Sequence, residues 1–233
     1  MGPPTKGEIR MRETQEAKRD LVTGMALLAT FALWTELVQL VDVRPVGQQG
    51  TDIGFATLNT RFHDLTGVHM ALYTATDWLG LVPVVVCLGF GVLGAVQLVK
   101  RRSLLRVDPD LLLLGAHYIL GASAYLLFEM VPINYRPILI DGVLEASYPS
   151  STTLLVLAVM PTLRYQVERR SSSPLLRRSV TVFVVVFSVF MVVGRLVSGV
   201  HWLTDIVGSV LLAFGLFSMY RFVTASIDRR LSS

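Results

Sequence analysis

The chain has 233 residues, 52% of them hydrophobic, and a formal net charge of +4. Its mean hydropathy of +0.57 is too apolar for an ordinary soluble domain. The single cysteine, Cys87, excludes a disulfide-held scaffold and is expected to be inert within its apolar run.

The chain opens on "MGPPTKGEIRMRETQEAKRD", a polar stretch without the features of a signal-peptide n-region. The first apolar run, Leu21–Val41, is therefore expected to be a retained membrane span. Five more spans are expected at Trp78–Val99, Leu111–Val131, Ser150–Leu163, Val180–Leu196 and Leu203–Phe222, since about 20 apolar residues cross a bilayer core. The fourth is short and is expected to continue to about Glu168, its charges snorkelling to the interface. The expected fold is thus an all-α integral membrane bundle of six helices. Residues 1–20 form a cytoplasmic N-terminal segment, 21–222 the membrane domain and 223–233 a cytoplasmic tail.

The basic residues orient this bundle. Lys6, Arg10, Arg12, Lys18 and Arg19 precede the first span. Lys100, Arg101, Arg102 and Arg106 follow the second; Arg164, Arg169, Arg170, Arg177 and Arg178 follow the fourth; Arg221, Arg229 and Arg230 follow the last. Six spans put all of them on one side, which the positive-inside rule makes cytoplasmic, together with both termini. The positive charge therefore reports topology, and nucleic acid is not an expected partner; the lipid bilayer is. Only Arg44, Arg61, Arg136 and Arg195 remain for the other, extracytoplasmic side.

Between the first two spans, Asp42 to Asp77 form the long outer connection, with room for one or two interfacial helices. Its His63 and His69 are read as interfacial residues, with a substitute acid as the alternative, and Asp77 as a helix cap. In the third span, His117 is read as structural. A second outer loop, Pro132 to Pro149, carries too many prolines for a continuous helix. Trp78, Tyr135 and Trp202 fit an aromatic interface belt.

Chemistry concentrates in "VVGRLVSGVHWLTDIVGS". His201 and Asp205 are i and i+4, so on a helix they share a face. A carboxylate beside an imidazole fixes its tautomer and stabilises its cation. Arg195 approaches from the preceding span across Ser198-Gly199. Arg136, in "NYRPIL", carries a fork of donors suited to phosphate. Ser150, in "YPSSTT", opens the fourth helix, where free N–H groups favour an anion. Each has a plainer reading: a capping His–Asp pair, an interfacial arginine, an N-cap serine. Together on the outer side they describe a phosphoryl-transfer site with a histidine nucleophile.

These residues make the chain resemble the type 2 phosphatidic acid phosphatases, membrane lipid phosphatases that share a helical core with vanadium haloperoxidases. The family pattern is Lys-x6-Arg-Pro, Pro-Ser-Gly-His and Ser-Arg-x5-His-x3-Asp. The third part is matched by Arg195, His201 and Asp205 with Gly194 in place of its serine. The first keeps Arg136-Pro137 but has Glu129 for the lysine; the second keeps Pro149-Ser150 but has Ser151 and Thr152 for Gly-His. The resemblance covers about residues 111–222. It implies His201 as nucleophile oriented by Asp205, with Arg136, Ser150 and Arg195 holding phosphate oxygens. A phosphohistidine intermediate and no metal or other cofactor are also implied.

Thr152 removes the family's general acid, which typically contributes about 10²–10⁴-fold. A diphosphate, whose leaving group is phosphate, needs that proton less than an ester does. A long-chain prenyl diphosphate is therefore the favoured substrate class. Glu129 is open to three readings: a protonated acid, a partner of Arg136, or a partner for a cationic headgroup. The expected function is a lipid phosphatase or diphosphatase working at the extracytoplasmic face. The alternatives are a lipid phosphotransferase and a non-catalytic lipid-phosphate binder or carrier.

Overall fold

A computed structural model describes residues 5–231, and all statements below concern these. Residues 1–4 and 232–233 of the two terminal segments lie outside the described residues. Eight α-helices form the fold: α1 (Lys6–Leu40), α2 (Ala56–Thr66), α3 (Met70–Leu79), α4 (Leu81–Arg101), α5 (Pro109–Met130), α6 (Ser151–Arg170), α7 (Pro174–Val197) and α8 (Leu203–Leu231). No strand is present among the described residues, only isolated bridges.

Residues 6–20 of the polar start are helical, as the first part of α1, begun by a capping box in which Thr5 and Glu8 each accept from the other's backbone N–H. The expected tail is likewise helical, as the end of α8. α1 lies along α8, and small residues let the two approach. A Cβ on Gly215 would stand 2.8 Å from Leu28 Cδ2, and one on Gly24 would stand 2.8 Å from Met219 Sδ. An Arg221–Asp20 ion pair of 3.1 Å joins the same helices. The first outer connection, expected to hold one or two helices, carries α2 and α3, the latter running almost directly into α4.

Five stretches are long and apolar enough to cross a membrane: Thr14–Leu40, Met70–Arg101, Pro109–Met130, Pro174–Val197 and Leu203–Leu231. α6, expected as the fourth of six spans, is not among them. It is as long as a span but is wrapped by α4, α5, α7 and α8, so protein, and not lipid, sets its composition. Its Thr162 and Gln166 are buried and bonded. Tyr118 and Thr162 hydroxyls are 2.7 Å apart, and Gln166 Nε2 donates to Tyr220 Oη at 2.6 Å. Its apolar positions feed two packed clusters, Leu154, Leu157 and Ala158 toward Leu212, and Val156 and Met160 toward Phe187 and Met191.

At one end of the bundle α5 finishes, α6 begins, α7 finishes and α8 begins. The loop 131–150 crosses this end without helix. Its two limbs pair: Arg136 N–H donates to Glu145 O at 3.0 Å, and Ser147 N–H donates to Asn134 O at 2.9 Å. A turn at Asp141-Gly142, both at positive φ, returns the chain. At the opposite end the basic clusters meet carboxylates, as Arg101–Asp108, Arg170–Asp110 and Arg169–Asp228.

Candidate active site

The turn between α7 and α8 carries His201. It is tight because Gly199 sits at φ +73°, where a Cβ would fall 2.2 Å from the carbonyl oxygen of Gly67. His201 therefore precedes α8 instead of lying on it, and Asp205 follows in the first helical turn. The expected pair does meet, with Nδ1 3.6 Å from Asp205 Oδ2. That is an ion-pair distance, too long for a hydrogen bond. The closer acceptor for Nδ1 is the carbonyl oxygen of Ser147, at 3.2 Å. A carbonyl can only accept, so this contact puts the proton on Nδ1 and leaves the lone pair on Nε2. Nε2 faces the other way, 3.3 Å from Arg136 Nη1.

Asp205 is fully buried. Its Oδ2 accepts from Trp202 N–H at 2.9 Å, and its Oδ1 from Asn134 Nδ2 at 3.3 Å. Asn59 on α2 pins the same helix start through Thr204, donating to its Oγ1 and accepting from its N–H.

Arg195, in the last turn of α7, is 1% exposed. Its Nη1 lies 3.5 Å from Thr76 Oγ1 and 3.7 Å from Asp77 Oδ1. Its guanidinium stands 4.8 Å from the centre of the Tyr73 ring. Its Nε has no hydrogen-bond partner. Arg136 is similarly buried. Its Nε is 2.9 Å from Glu145 Oε2, but the N–H direction misses the carboxylate, so this donor too lacks a hydrogen bond. Buried donors are nearly always satisfied. Two under-satisfied guanidiniums beside one imidazole make an arrangement suited to an anion. Burial and these two cations hold the His201 pKa well below its ordinary value, keeping the ring neutral and nucleophilic.

A polar cavity of about 190 Å³ opens on this centre. Arg136 and His201 lie in its wall, with Glu129 and Glu145. A second, apolar cavity of about 520 Å³ runs between α4, α5 and α6 from Asp77 and Thr152 down to Cys87 and Tyr118. Tyr125 and Ser151 line both.

Several expectations change here. Ser150 is at the N-cap of α6, but its hydroxyl donates to Thr153 Oγ1 at 3.1 Å and it does not line the polar cavity; Ser151 does. Thr152 faces the apolar cavity beside Gly80. Glu129 is exposed, and the carboxylate paired with Arg136 is that of Glu145. Asp77, expected as a cap before the second span, instead sits near the end of α3 beside Arg195. Trp202 is not at an interface. It is 3% exposed because its indole N–H donates to Tyr135 O at 2.7 Å and its ring packs against His63. Neither His63 nor His69 lines the polar cavity. His117 is buried with Nε2 2.8 Å from Ala158 O, a structural role as expected.

Sequence reasoning missed Asn134, Glu145, Ser147 and Tyr125. Asn134 and Glu145 flank motif residues in "NYRP" and "EASYPSS", and only the pairing of the two loop limbs brings them to His201.

Comparison with known proteins gives one family match: the PAP2 superfamily profile covers residues 86–228, more than half of the chain. No curated protein matches. Among solved structures, the chain is similar to the first transmembrane PAP2 type phosphatidylglycerolphosphate phosphatase from Bacillus subtilis. Identity is 19% and the TM-score 0.49, over 89% of this chain and 96% of that one.

Proposed function

The chain belongs to the PAP2 superfamily, and on that premise we propose that it is a membrane enzyme that hydrolyses a lipid phosphate or diphosphate through a phosphohistidine on His201. The observation that carries this reading is the meeting of two cavities at Tyr125 and Ser151. The polar one holds a neutral imidazole beside the buried Arg136 guanidinium, and the apolar one offers room for a hydrocarbon tail. The site lies at the bundle end opposite the basic clusters, which supports an extracytoplasmic active site with both termini cytoplasmic. On this topology α6 is the fourth of six spans, shielded from lipid by its neighbours.

In the proposed reaction, Nε2 of His201 attacks phosphorus in line with the leaving oxygen. Arg136 and Arg195 neutralise the phosphoryl oxygens as the charge redistributes. Water then attacks the phosphohistidine and returns the imidazole. Asp205 stabilises the charged ring from 3.6 Å, while the Ser147 carbonyl fixes its tautomer. Asp205→Asn is therefore expected to reduce phosphate release by about 10²-fold, well short of the roughly 10⁴-fold seen where a triad loses its tautomer as well. Steady-state kcat measures this. A loss equal to that of His201→Ala would mean that Asp205, and not Ser147, sets the tautomer.

No histidine stands at position 152, so the leaving group must depart without a proton from there. A prenyl diphosphate meets that requirement, because phosphate is a good leaving group. Purified protein is expected to release phosphate from a long-chain prenyl diphosphate at least about 10-fold faster than from the matching simple alkyl monophosphate. A preference for the alkyl ester would overturn the leaving-group reading. Binding without any turnover would instead support a degenerate, non-catalytic carrier, and a phosphorylated acceptor would support phosphotransfer.

A further inference from the structure

The family profile begins at residue 86, so α3 lies outside it. Yet the partners of the Arg195 guanidinium among the described residues, Tyr73, Thr76 and Asp77, all belong to α3. Their spacing is i, i+3 and i+4, so they share one helix face.

Close packing on α7 holds this face in place. Just before α3, His69 N–H donates to Ser198 O at 3.0 Å, at the end of α7. Further back along α7, a Cβ on Gly194 would stand 2.7 Å from Thr76 Cγ2. Thr76 is fully buried. Its hydroxyl can donate to Leu72 O or Tyr73 O, each 2.9 Å away. These bonds fix the rotamer, so Cγ2 cannot swing aside, and they leave a lone pair of Oγ1 for Arg195 Nη1.

The contacts divide the guanidinium. Thr76 and Asp77 both approach Nη1, at 3.5 and 3.7 Å. Nε is buried without a partner, a rare condition for a donor in a residue only 1% exposed. One end of the fork is anchored and the Nε edge remains for a ligand.

We propose that α3 is the positioning element of the phosphate site. Tyr73, Thr76 and Asp77 hold Arg195 so that its Nε edge meets a phosphoryl oxygen, and Gly194 admits α3 to the distance this requires. The proposal rests on the hydrolase reading above and adds positioning residues to it. The three side chains act on phosphate through Arg195.

The test adds the Cβ that Gly194 lacks and then removes the methyl it would meet. Gly194→Ala drives Cβ into Thr76 Cγ2; Thr76→Ser deletes that methyl and keeps the acceptor oxygen. The probe is orthovanadate, an analogue of the phosphoryl group, its affinity read from thermal unfolding of the full chain in detergent micelles. Gly194→Ala is expected to weaken orthovanadate about 10-fold and to lower kcat/KM for a long-chain prenyl diphosphate at least as much, since a small misplacement can cost about 10²-fold. Alanine for glycine within a helix otherwise favours folding. Gly194→Ala combined with Thr76→Ser should recover both quantities to within about 3-fold of the unsubstituted protein. An orthovanadate affinity changed less than about 2-fold by Gly194→Ala overturns the proposal, and so does a loss that Thr76→Ser fails to recover. Should Gly194→Ala not fold, Tyr73 decides. Tyr73→Leu removes the ring face and should weaken orthovanadate at least about 3-fold, while Tyr73→Phe keeps the face and should stay within about 2-fold. Equal affinities for these two variants overturn the proposal. Binding is read apart from turnover: the expected orthovanadate pattern without phosphate release from any lipid overturns the hydrolase reading and leaves the role of α3 standing.

Discussion

His201→Ala is expected to abolish phosphate release, by about 10⁴-fold or more in kcat. Loss of the attacking residue in an acyl-transfer triad costs about 10⁶-fold, with binding and electrostatic groups supplying what remains. The site here has fewer residual contributions, since no acid stands at position 152. Arg136 and Arg195 remain in the variant, so substrate binding should persist while turnover does not. The same variant tests the intermediate. With substrate labelled in the transferred phosphoryl group, rapid quenching in base should trap label on the protein, because a phosphohistidine survives base and is lost in acid. His201→Ala should trap none. Turnover within about 10-fold of the unsubstituted protein would remove His201 from the nucleophile's role. Trapped label that persists in the variant would move the covalent step to another residue.

The parts of the site that were legible in the sequence are those fixed by short connections. Arg195, His201 and Asp205 are separated by one tight turn, so their spacing alone brings them to one end of two adjacent helices. The basic clusters were legible because topology restricts where charge can sit. Arg136 was legible as one of only four arginines on the side that the positive-inside rule leaves poor in cations. Other features depend on pairing at a distance. The role of Ser147 comes from its backbone carbonyl, which no side-chain pattern signals. Asn134 and Glu145 reach the centre only because the loop folds back on itself. Ser150 has the right identity for a phosphate seat, yet its hydroxyl is taken by Thr153 one turn on. The weak apolar signal of α6 has the same origin. A helix enclosed by protein can carry Thr153, Thr162 and Gln166 fully buried, with Thr162 and Gln166 bonded to Tyr118 and Tyr220 on neighbouring helices.

Thr152→His is expected to raise hydrolysis of a simple alkyl monophosphate by about 10²-fold, the lower part of the range for a positioned acid. The physical case rests on place and charge. Thr152 opens α6 at the top of the apolar cavity, next to Ser151, which borders the phosphate cavity. Gly80 leaves space: even a Cβ there would stand 3.7 Å from Thr152 Cγ2. Asp77 lines the same cavity, and a carboxylate nearby favours the protonated imidazole that an acid needs. Adding Glu129→Lys should increase the gain by restoring a cation near the phosphate. The increase should depend on the leaving group. An alkoxide gains most from a new proton donor; a departing phosphate gains little. The ratio of rates for hexadecyl phosphate and prenyl diphosphate, measured in the two proteins side by side, is the decisive quantity. A parallel rise for both substrates would show that the histidine improves binding and not leaving-group departure. No rise for either would mean that position 152 does not face the leaving oxygen. The acid would then have to enter from the side of Tyr125 and Glu129, the remaining polar border of the cavity.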